Sequence, residues 1–296
     1  HVSQRGGFGR SLISADDYGT PALGYVMRYR DLASALDVGI ASEQLIEQCS
    51  VSGIETDGEQ ATVTVSQQGT TRVIKARLVV HAEGTPHDDP DVKVRDYAQH
   101  ALIAEVRPGG AHGNRAWERF TPDGPLALLP LGLDYSVVLT VPPEKALALL
   151  ELDDEAFLAA LRRQFGTRMD FLSVGPRSSF PLALRIRPQL TRDRQVWIGN
   201  TAQTLHPVTG QGFNLGLRDA WELAEVLLEQ HDGDPGAARP LAAYVRNRQL
   251  DRWGSMTFTD GIVRLISNDL PPLRVARGAG LLALDLPIVA LMGGFG

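Results

Sequence analysis

Cysteine is nearly absent: Cys49 is the only one in the chain. One thiol forms no internal disulfide and no thiolate metal cluster, so the fold closes on packing alone, and a reducing compartment is expected. Its neighbours Gln48 and Ser50 bring no His or Lys beside it, which makes Cys49 a structural thiol rather than a reactive one. Runs of Lys or Arg are also missing. With 29 basic and 35 acidic residues the net charge is −6, which argues against a nucleic-acid partner. No signal-peptide pattern opens the chain. The longest apolar run near the end, 281–292, is broken by Asp285 and Pro287 and falls well short of the roughly 20 residues that span a bilayer. A soluble or at most peripheral protein is expected.

Three chemical signatures are missing as well. Gly-x-Gly-x-x-Gly follows no predicted strand: Gly7-Phe8-Gly9 meets Leu12 where the third glycine belongs, and Gly210-Gln211-Gly212 meets Leu215, with Gly216 one place late. Gly-x-Ser-x-Gly does not occur, which removes the common serine-hydrolase reading. The seven His show no metal-ligand spacing with Cys or clustered carboxylates, so no metal is expected. The acidic cluster Asp88, Asp89 and Asp91 reads as a solvated loop rather than a cation site.

What is present is a chain of 296 residues with 43% hydrophobic content, enough for two modest domains or one interleaved one. Residues 22–36 suggest a strand through Met27 and a helix opened by Asp31, with Leu32, Ala35 and Leu36 inward. Alternation over 61–66, a turn at Gln67-Gln68-Gly69 and a return over 73–80 predict a β-hairpin feeding a more buried strand. Short strands follow at 101–106, 117–121, 126–131 and 135–141, then a helix over 153–165 and a last strand before Pro188. A linker at 233–236 leads to a helix over 241–266 with Trp253, Phe258, Ile262, Leu265 and Ile266 among its apolar positions. Pro271-Pro272 ends it, and a final apolar helix is expected over 273–284, buried against the domain or touching a membrane surface.

The stretch 196–228 organises the rest. A short apolar strand ends at Gly199, a loop carries Pro207, Gly210 and Gly212, and a helix starts near Phe213 and Asn214. Leu217, Ala220, Trp221, Ala224, Leu227 and Leu228 recur at three-to-four-residue spacing, so this stripe is expected to face inward. Gly210 and Gly212 let the backbone approach something flat or bulky, and the first helix amides suit an anion or a polarised carbonyl. Taken alone, this Gly-x-Gly is equally compatible with a tight strand-to-helix turn.

The full run Gly199-Asn200-Thr-Ala-Gln203-Thr-Leu-His206-Pro207, with Gly210-Gln211-Gly212-Phe213-Asn214, shifts that balance. It resembles the second flavin-contacting motif of the FAD-dependent aromatic hydroxylases of the para-hydroxybenzoate hydroxylase fold. Trp117-Glu-Arg-Phe-Thr with Gly124-Pro-Leu-Ala-Leu128, and Phe180-Pro-Leu182, are similar to further signatures of that family. Asn200 and Gln203, where most of the superfamily has Asp and His, point to the ubiquinone-biosynthesis branch and within it to the 2-octaprenyl-6-methoxyphenol hydroxylases. The resemblance implies an α/β (mixed α+β) fold: an FAD-binding domain over 1–92 and 191–232 without its first βαβ unit, a mostly antiparallel substrate sheet over 93–190, and a helical segment over 233–296.

The same resemblance implies a function. It is FAD-dependent hydroxylation of a polyprenyl phenol with NADH or NADPH and O2, in the cytoplasm or peripheral at the inner face of a membrane. Implied cofactor contacts are Arg30, Glu83, Gly84, Gly199, Asn200, Pro207, Gly210, Gln211, Gly212, Phe213 and Asn214. From spacing alone, Arg30 is as well explained by a surface salt bridge. Pro207 would line the face where oxygen reacts, and His206 is either the general base for the phenol or a structural hydrogen-bonder. Glu83-Gly84 stands where the family has Asp-Gly, and Pro86 and Pro90 forbid the helix that usually follows. That departure sustains an alternative, a non-catalytic substrate-binding module of a quinone-biosynthesis complex.

Overall fold

The computed structural model describes residues 1–5, 10–86, 88–166, 169–207, 210–229 and 233–266; at 258, 260 and 262–266 only the backbone is described. The expected helix over 273–284, and Gly7-Phe8-Gly9, lie outside these residues. The elements in chain order begin β1 (Val2–Gln4), β2 (Arg10–Ser11), α1 (Tyr29–Asp37), β3 (Cys49–Thr56), β4 (Ala61–Gln67), β5 (Thr70–Ala76) and β6 (Val79–His81). Then come β7 (Lys93–Pro108), β8 (Trp117–Thr121), β9 (Gly124–Leu131), β10 (Asp134–Val141), α2 (Pro143–Leu150), α3 (Asp154–Phe165), β11 (Phe171–Val174) and β12 (Ser178–Ile186). The last are β13 (Thr191–Arg192), β14 (Gln195–Trp197), β15 (Gln203–Thr204), α4 (Gly212–Leu228) and α5 (Ala238–Ile266). They divide into two compact units, one built on His1–Leu32 and Tyr97–Leu182, the other on Ala33–Asp96 and Ala183–Asp260.

In the first unit, strands run in the order β12-β7-β10-β9-β8-β1-β2, with β11 also on β7. The pairs β7·β10, β10·β9 and β9·β8 are antiparallel, while β1·β8 is parallel. Period-two alternation sends Leu102, Ala104 and Val106, then Leu126 and Leu128, then Tyr135, Val137, Leu139 and Val141 to one face. Two helices cover it with Ala146 and Leu149 from α2 and Phe157, Leu158, Leu161 and Phe165 from α3. Each buried Leu, Val or Phe contributes about 1.5–3 kcal/mol, so this face is the unit's core. Helix α3 starts where the Asp153 carboxylate accepts the Ala156 amide at 2.7 Å, and it ends at Gly166, whose φ of +96° no Cβ-bearing residue adopts easily. Trp117 belongs to this packing: its Nε1 donates to the Tyr135 hydroxyl at 3.2 Å, and its ring meets Phe165 edge-on at 5.6 Å.

In the second unit, β3, β4 and β5 form an antiparallel meander, and β13, β14 and β6 a second sheet in which β14 and β6 run parallel. Leu190, Val196, Trp197 and Ala202 pack against Leu223 of α4 and Leu241 and Tyr244 of α5. Arg194, with φ +56°, ties this unit's loops together. It donates to the Gly58 carbonyl at 2.9 and 2.7 Å and to the Arg77 carbonyl at 3.1 Å, and it pairs with Asp234.

Three expectations are corrected. Residues 22–27 form no strand, and α1 starts at Tyr29 and buries none of its residues, Leu32 being half-buried and Leu36 exposed. The return strand expected over 73–80 is two strands in different sheets, broken where Arg194 takes the Arg77 carbonyl. The inward face of α4 is Leu215, Asp219, Leu223 and Val226, whereas Leu217, Trp221 and Leu228 are exposed. Among the described residues, no helix is long and apolar enough to cross a membrane.

Candidate functional site

Two parallel strands bring the separated motifs together. β6 and β14 pair with Val79 opposite Gln195 and His81 opposite Trp197, so the loops after His81 and Trp197 leave the same edge of one sheet. The crevice beyond the carboxyl ends of parallel strands is where such sheets take ligands. The Ile198 amide donates to the His81 carbonyl at 3.1 Å and the Thr201 hydroxyl to the same oxygen at 2.8 Å, which locks the two loops side by side. Thr85 and Thr204 hydroxyls approach to 3.5 Å. Beneath them the His81 and Trp197 rings stack, with centroids 4.4 Å apart and planes 2° from parallel. The Arg187 guanidinium lies 4.6 Å from the Trp197 ring centre.

The backbone at this edge takes conformations that glycine permits. Gly84 has φ +101°, Gly199 +60° and Gly210 +61°. Gly216 of α4 passes close to Gly199: a Cβ on Gly216 would lie 3.3 Å from the Gly199 Cα. At Gly210 and Gly212 a Cβ would meet nothing among the described residues within 4 Å. That open space borders the start of α4, whose N-cap residue Gln211 makes no side-chain capping bond. The Leu215 amide donates to the Gln211 carbonyl at 2.9 Å, so the amides of Gly212, Phe213 and Asn214 precede the first internal bond. Among the described residues, bare backbone, open space at Gly210 and Gly212, and a positive helix end that the Gln211 side chain does not cap together fit a flat group with an electron-rich edge.

Other residues near this loop have defined places. His206 is 1% exposed, and burial pushes its pKa down to about 4, so it is neutral at neutral pH. The Pro207 carbonyl accepts the Gly210 amide at 2.9 Å. Asn200 is exposed, and its carbonyl accepts the Thr204 hydroxyl at 3.4 Å. The Glu83 carboxylate is 69% exposed and lies 3.5 Å from His81 Nδ1. Asp89 pairs with Arg187, and Asp91 pairs with Arg192 at 2.5 Å. A cavity of about 650 Å³ lies elsewhere, lined by Pro188, Arg192, Gln195 and Val245 around the β13–β14 turn.

A family model described as FAD binding domain matches residues 44–259. The chain belongs to this family. Among its relatives is the ubiquinone hydroxylase UbiL of Rhodospirillum rubrum, 34% identical over 275 residues that cover 89% of this chain and 63% of that protein. The 3-demethoxyubiquinol 3-hydroxylase of Escherichia coli is 32% identical, covering 72% of this chain and 56% of that protein. The chain therefore spans about three-fifths of the length of these relatives. The fold is shared with pqsL of Pseudomonas aeruginosa, with a TM-score of 0.66 and 22% identity over 86% of this chain and 72% of that one. It is also shared with the p-nitrophenol 4-monooxygenase PnpA of Pseudomonas putida, with a TM-score of 0.63 and 16% identity over 82% of this chain and 65% of that one. The mixed α/β fold expected from the resemblance is the fold observed.

Within the FAD binding domain, Glu83, Gly84, Gly199, Asn200, Pro207, Gly210, Gln211, Gly212, Phe213 and Asn214 all fall in the unit built on Ala33–Asp96 and Ala183–Asp260. Arg30 falls in the other unit, 77% exposed and 3.5 Å from Asp31, the surface contact that its spacing also allowed. Val208 and Thr209 lie outside the described residues. Sequence reasoning missed the buried polar group behind the loop, formed by Gln203, Asp219, Arg248 and Arg252. A signal existed: Asp219 sits four residues from both Leu215 and Leu223, so a helix phased on those leucines would have placed a carboxylate in the core.

Proposed function

We propose that this chain is part of an FAD-dependent monooxygenase that hydroxylates a polyprenyl phenol in ubiquinone biosynthesis. The observation that carries the reading is the corner at Gly210 and Gly212, open among the described residues, beside the start of α4 that the Gln211 side chain leaves uncapped, on a chain of the FAD-binding family. Gly199, Asn200, Pro207 and the 210–214 backbone would hold the flavin, which supplies reducing electrons from NADH or NADPH to activate O2 when bound. The amides of Gly212, Phe213 and Asn214 would stabilise negative charge on the edge of a bound flavin. Fixed backbone donors of this kind contribute on the order of 3 kcal/mol each. Neutral, buried His206 is assigned to holding the loop, since a base of pKa about 4 draws a phenol proton poorly near neutrality. The antiparallel sheet unit is assigned to the substrate, with peripheral membrane contact supplying a long isoprenoid.

The test is oxidation of NADH or NADPH by the FAD-supplemented protein with a prenylated phenol. The reading expects phenol-stimulated consumption and a product carrying one oxygen atom from labelled O2. Solvent-exposed Glu83 favours a second reading, a non-catalytic substrate-binding module of a quinone-biosynthesis assembly. Phenol binding without turnover would select it.

A further inference from the structure

Four side chains without a role in cofactor contact, Asp219, Gln203, Arg248 and Arg252, meet behind the 199–207 loop. Asp219 is 1% exposed on the inward face of α4. Its Oδ2 accepts the Gly199 amide at 2.9 Å and Gln203 Nε2 at 2.7 Å, and its Oδ1 accepts Arg248 Nε at 2.7 Å. Gln203, 3% exposed, turns its other end to Arg252, whose Nε donates to Oε1 at 2.6 Å. Arg252 also donates to the Arg187 carbonyl at 2.5 Å and the Ala202 carbonyl at 3.0 Å. The Gln203 amide thus has one workable orientation. Flipped, it would face its NH2 to a guanidinium and its oxygen to a carboxylate, losing two charge-assisted bonds.

We propose that Asp219, Gln203 and Arg252 form a positioning device that fixes the 199–204 backbone, and through it the loop on which the flavin rests. The flavin part of this statement rests on the function proposed above. Gln203 is the point of specificity because it must offer a donor to Asp219 and an acceptor to Arg252 at once. A neutral imidazole supplies that pair. An ionised carboxylate supplies acceptors alone and opposes Asp219; protonated, it regains the donor.

The groups around Gln203 come from α4, α5 and β12. Asp219 lies on α4, Arg248, Arg252 and the buried hydroxyl of Tyr244 lie on α5, and β12, which pairs with Gln203 at Ile186, carries Arg185 and leads into buried Arg187. Farther out, Asp251 accepts from Arg248 and Arg218, and Glu222 accepts from Asn247. His206 stands three residues along the loop.

Gln203→Glu and Gln203→His in the full chain, beside the unaltered protein, test the device through thermal midpoint and FAD affinity by flavin fluorescence across pH 5.5–8.5. At pH 8.5 Gln203→Glu binds FAD at least tenfold more weakly and melts lower, and both properties recover as the pH falls. Gln203→His behaves in the opposite sense, close to the unaltered protein at pH 8.5 and weakening through the imidazole range. Two variants that track the unaltered protein, or that lose stability and affinity equally at every pH, overturn the proposal. If the unaltered protein binds no FAD, the cofactor reading fails, while the opposed pH slopes of the melting curves still decide the device. Should Gln203→Glu not fold, the slope of Gln203→His against the unaltered protein decides it.

Discussion

Removing the Asp219 carboxylate strips acceptors from three donors at once. In Asp219→Ala the Gly199 amide and the Gln203 NH2 lose this acceptor, and the Arg248 guanidinium, 4% exposed, keeps Asp251 at 2.6 Å. Breaking a buried ion pair from one side costs about 3–5 kcal/mol, because an uncompensated charge stays inside. Each kcal/mol shifts the midpoint of a chain of this size by about 2–4 °C, so the variant is expected to melt roughly 6–20 °C lower. Asp219→Asn keeps the volume but turns an NH2 toward one set of donors, and most of the loss remains. Adding Arg248→Met to Asp219→Ala removes the stranded charge, so the double variant is expected to be more stable than the sum of the singles by at least about 1 kcal/mol. Thermal and urea unfolding followed by circular dichroism read all five proteins, the parent, Asp219→Ala, Asp219→Asn, Arg248→Met and the double variant. An Asp219→Ala midpoint within error of the parent, or strict additivity in the double variant, would refute the reasoning.

Two further outcomes follow from burial. Leu223→Ala, at a position 5% exposed, is expected to cost about 2–5 kcal/mol in urea unfolding, whereas Trp221→Ala, at 67% exposed, changes the chain's stability by no more than about 0.5 kcal/mol. The reverse ranking would restore the stripe expected from periodicity. His206 is held near pKa 4 in the folded chain against about 6.5 unfolded, so between those values only the unfolded chain takes up the proton. Stability is therefore lost as pH falls from about 6.5 to about 4, by about 3 kcal/mol in all. His206→Gln is expected to flatten that part of the stability–pH curve, and parallel curves for the two proteins would contradict it.

Much of the fold is written in local patterns. Period-two alternation marks 61–66 and 135–141 because each strand buries one face, and Asp153 marks the start of α3 because its side chain caps the Ala156 amide. Helix phase is where the reading fails. In α4 the most regular apolar stripe, through Leu217 and Trp221, is exposed, and the buried one includes Asp219. In α5 the buried positions Leu241, Tyr244, Arg248 and Arg252 carry two guanidiniums, while Leu250 and Trp253 are exposed. Hydrophobic periodicity cannot register a face whose burial depends on polar groups matched across three elements. For the same reason the loop residues 199–214 were legible as a motif, but the anchor behind them was not. The β6–β14 pairing, which joins Val79 to Gln195, is likewise invisible to any local window.

The central claim is that FAD lies on the 207–214 backbone, beside the loops that follow β6 and β14. Amide hydrogen exchange of the chain, with and without saturating FAD, tests it most directly. The account predicts added protection concentrated in 81–85 and 199–214. Protection confined to 1–32 and 97–182, or FAD binding that leaves 199–214 unchanged, would contradict it.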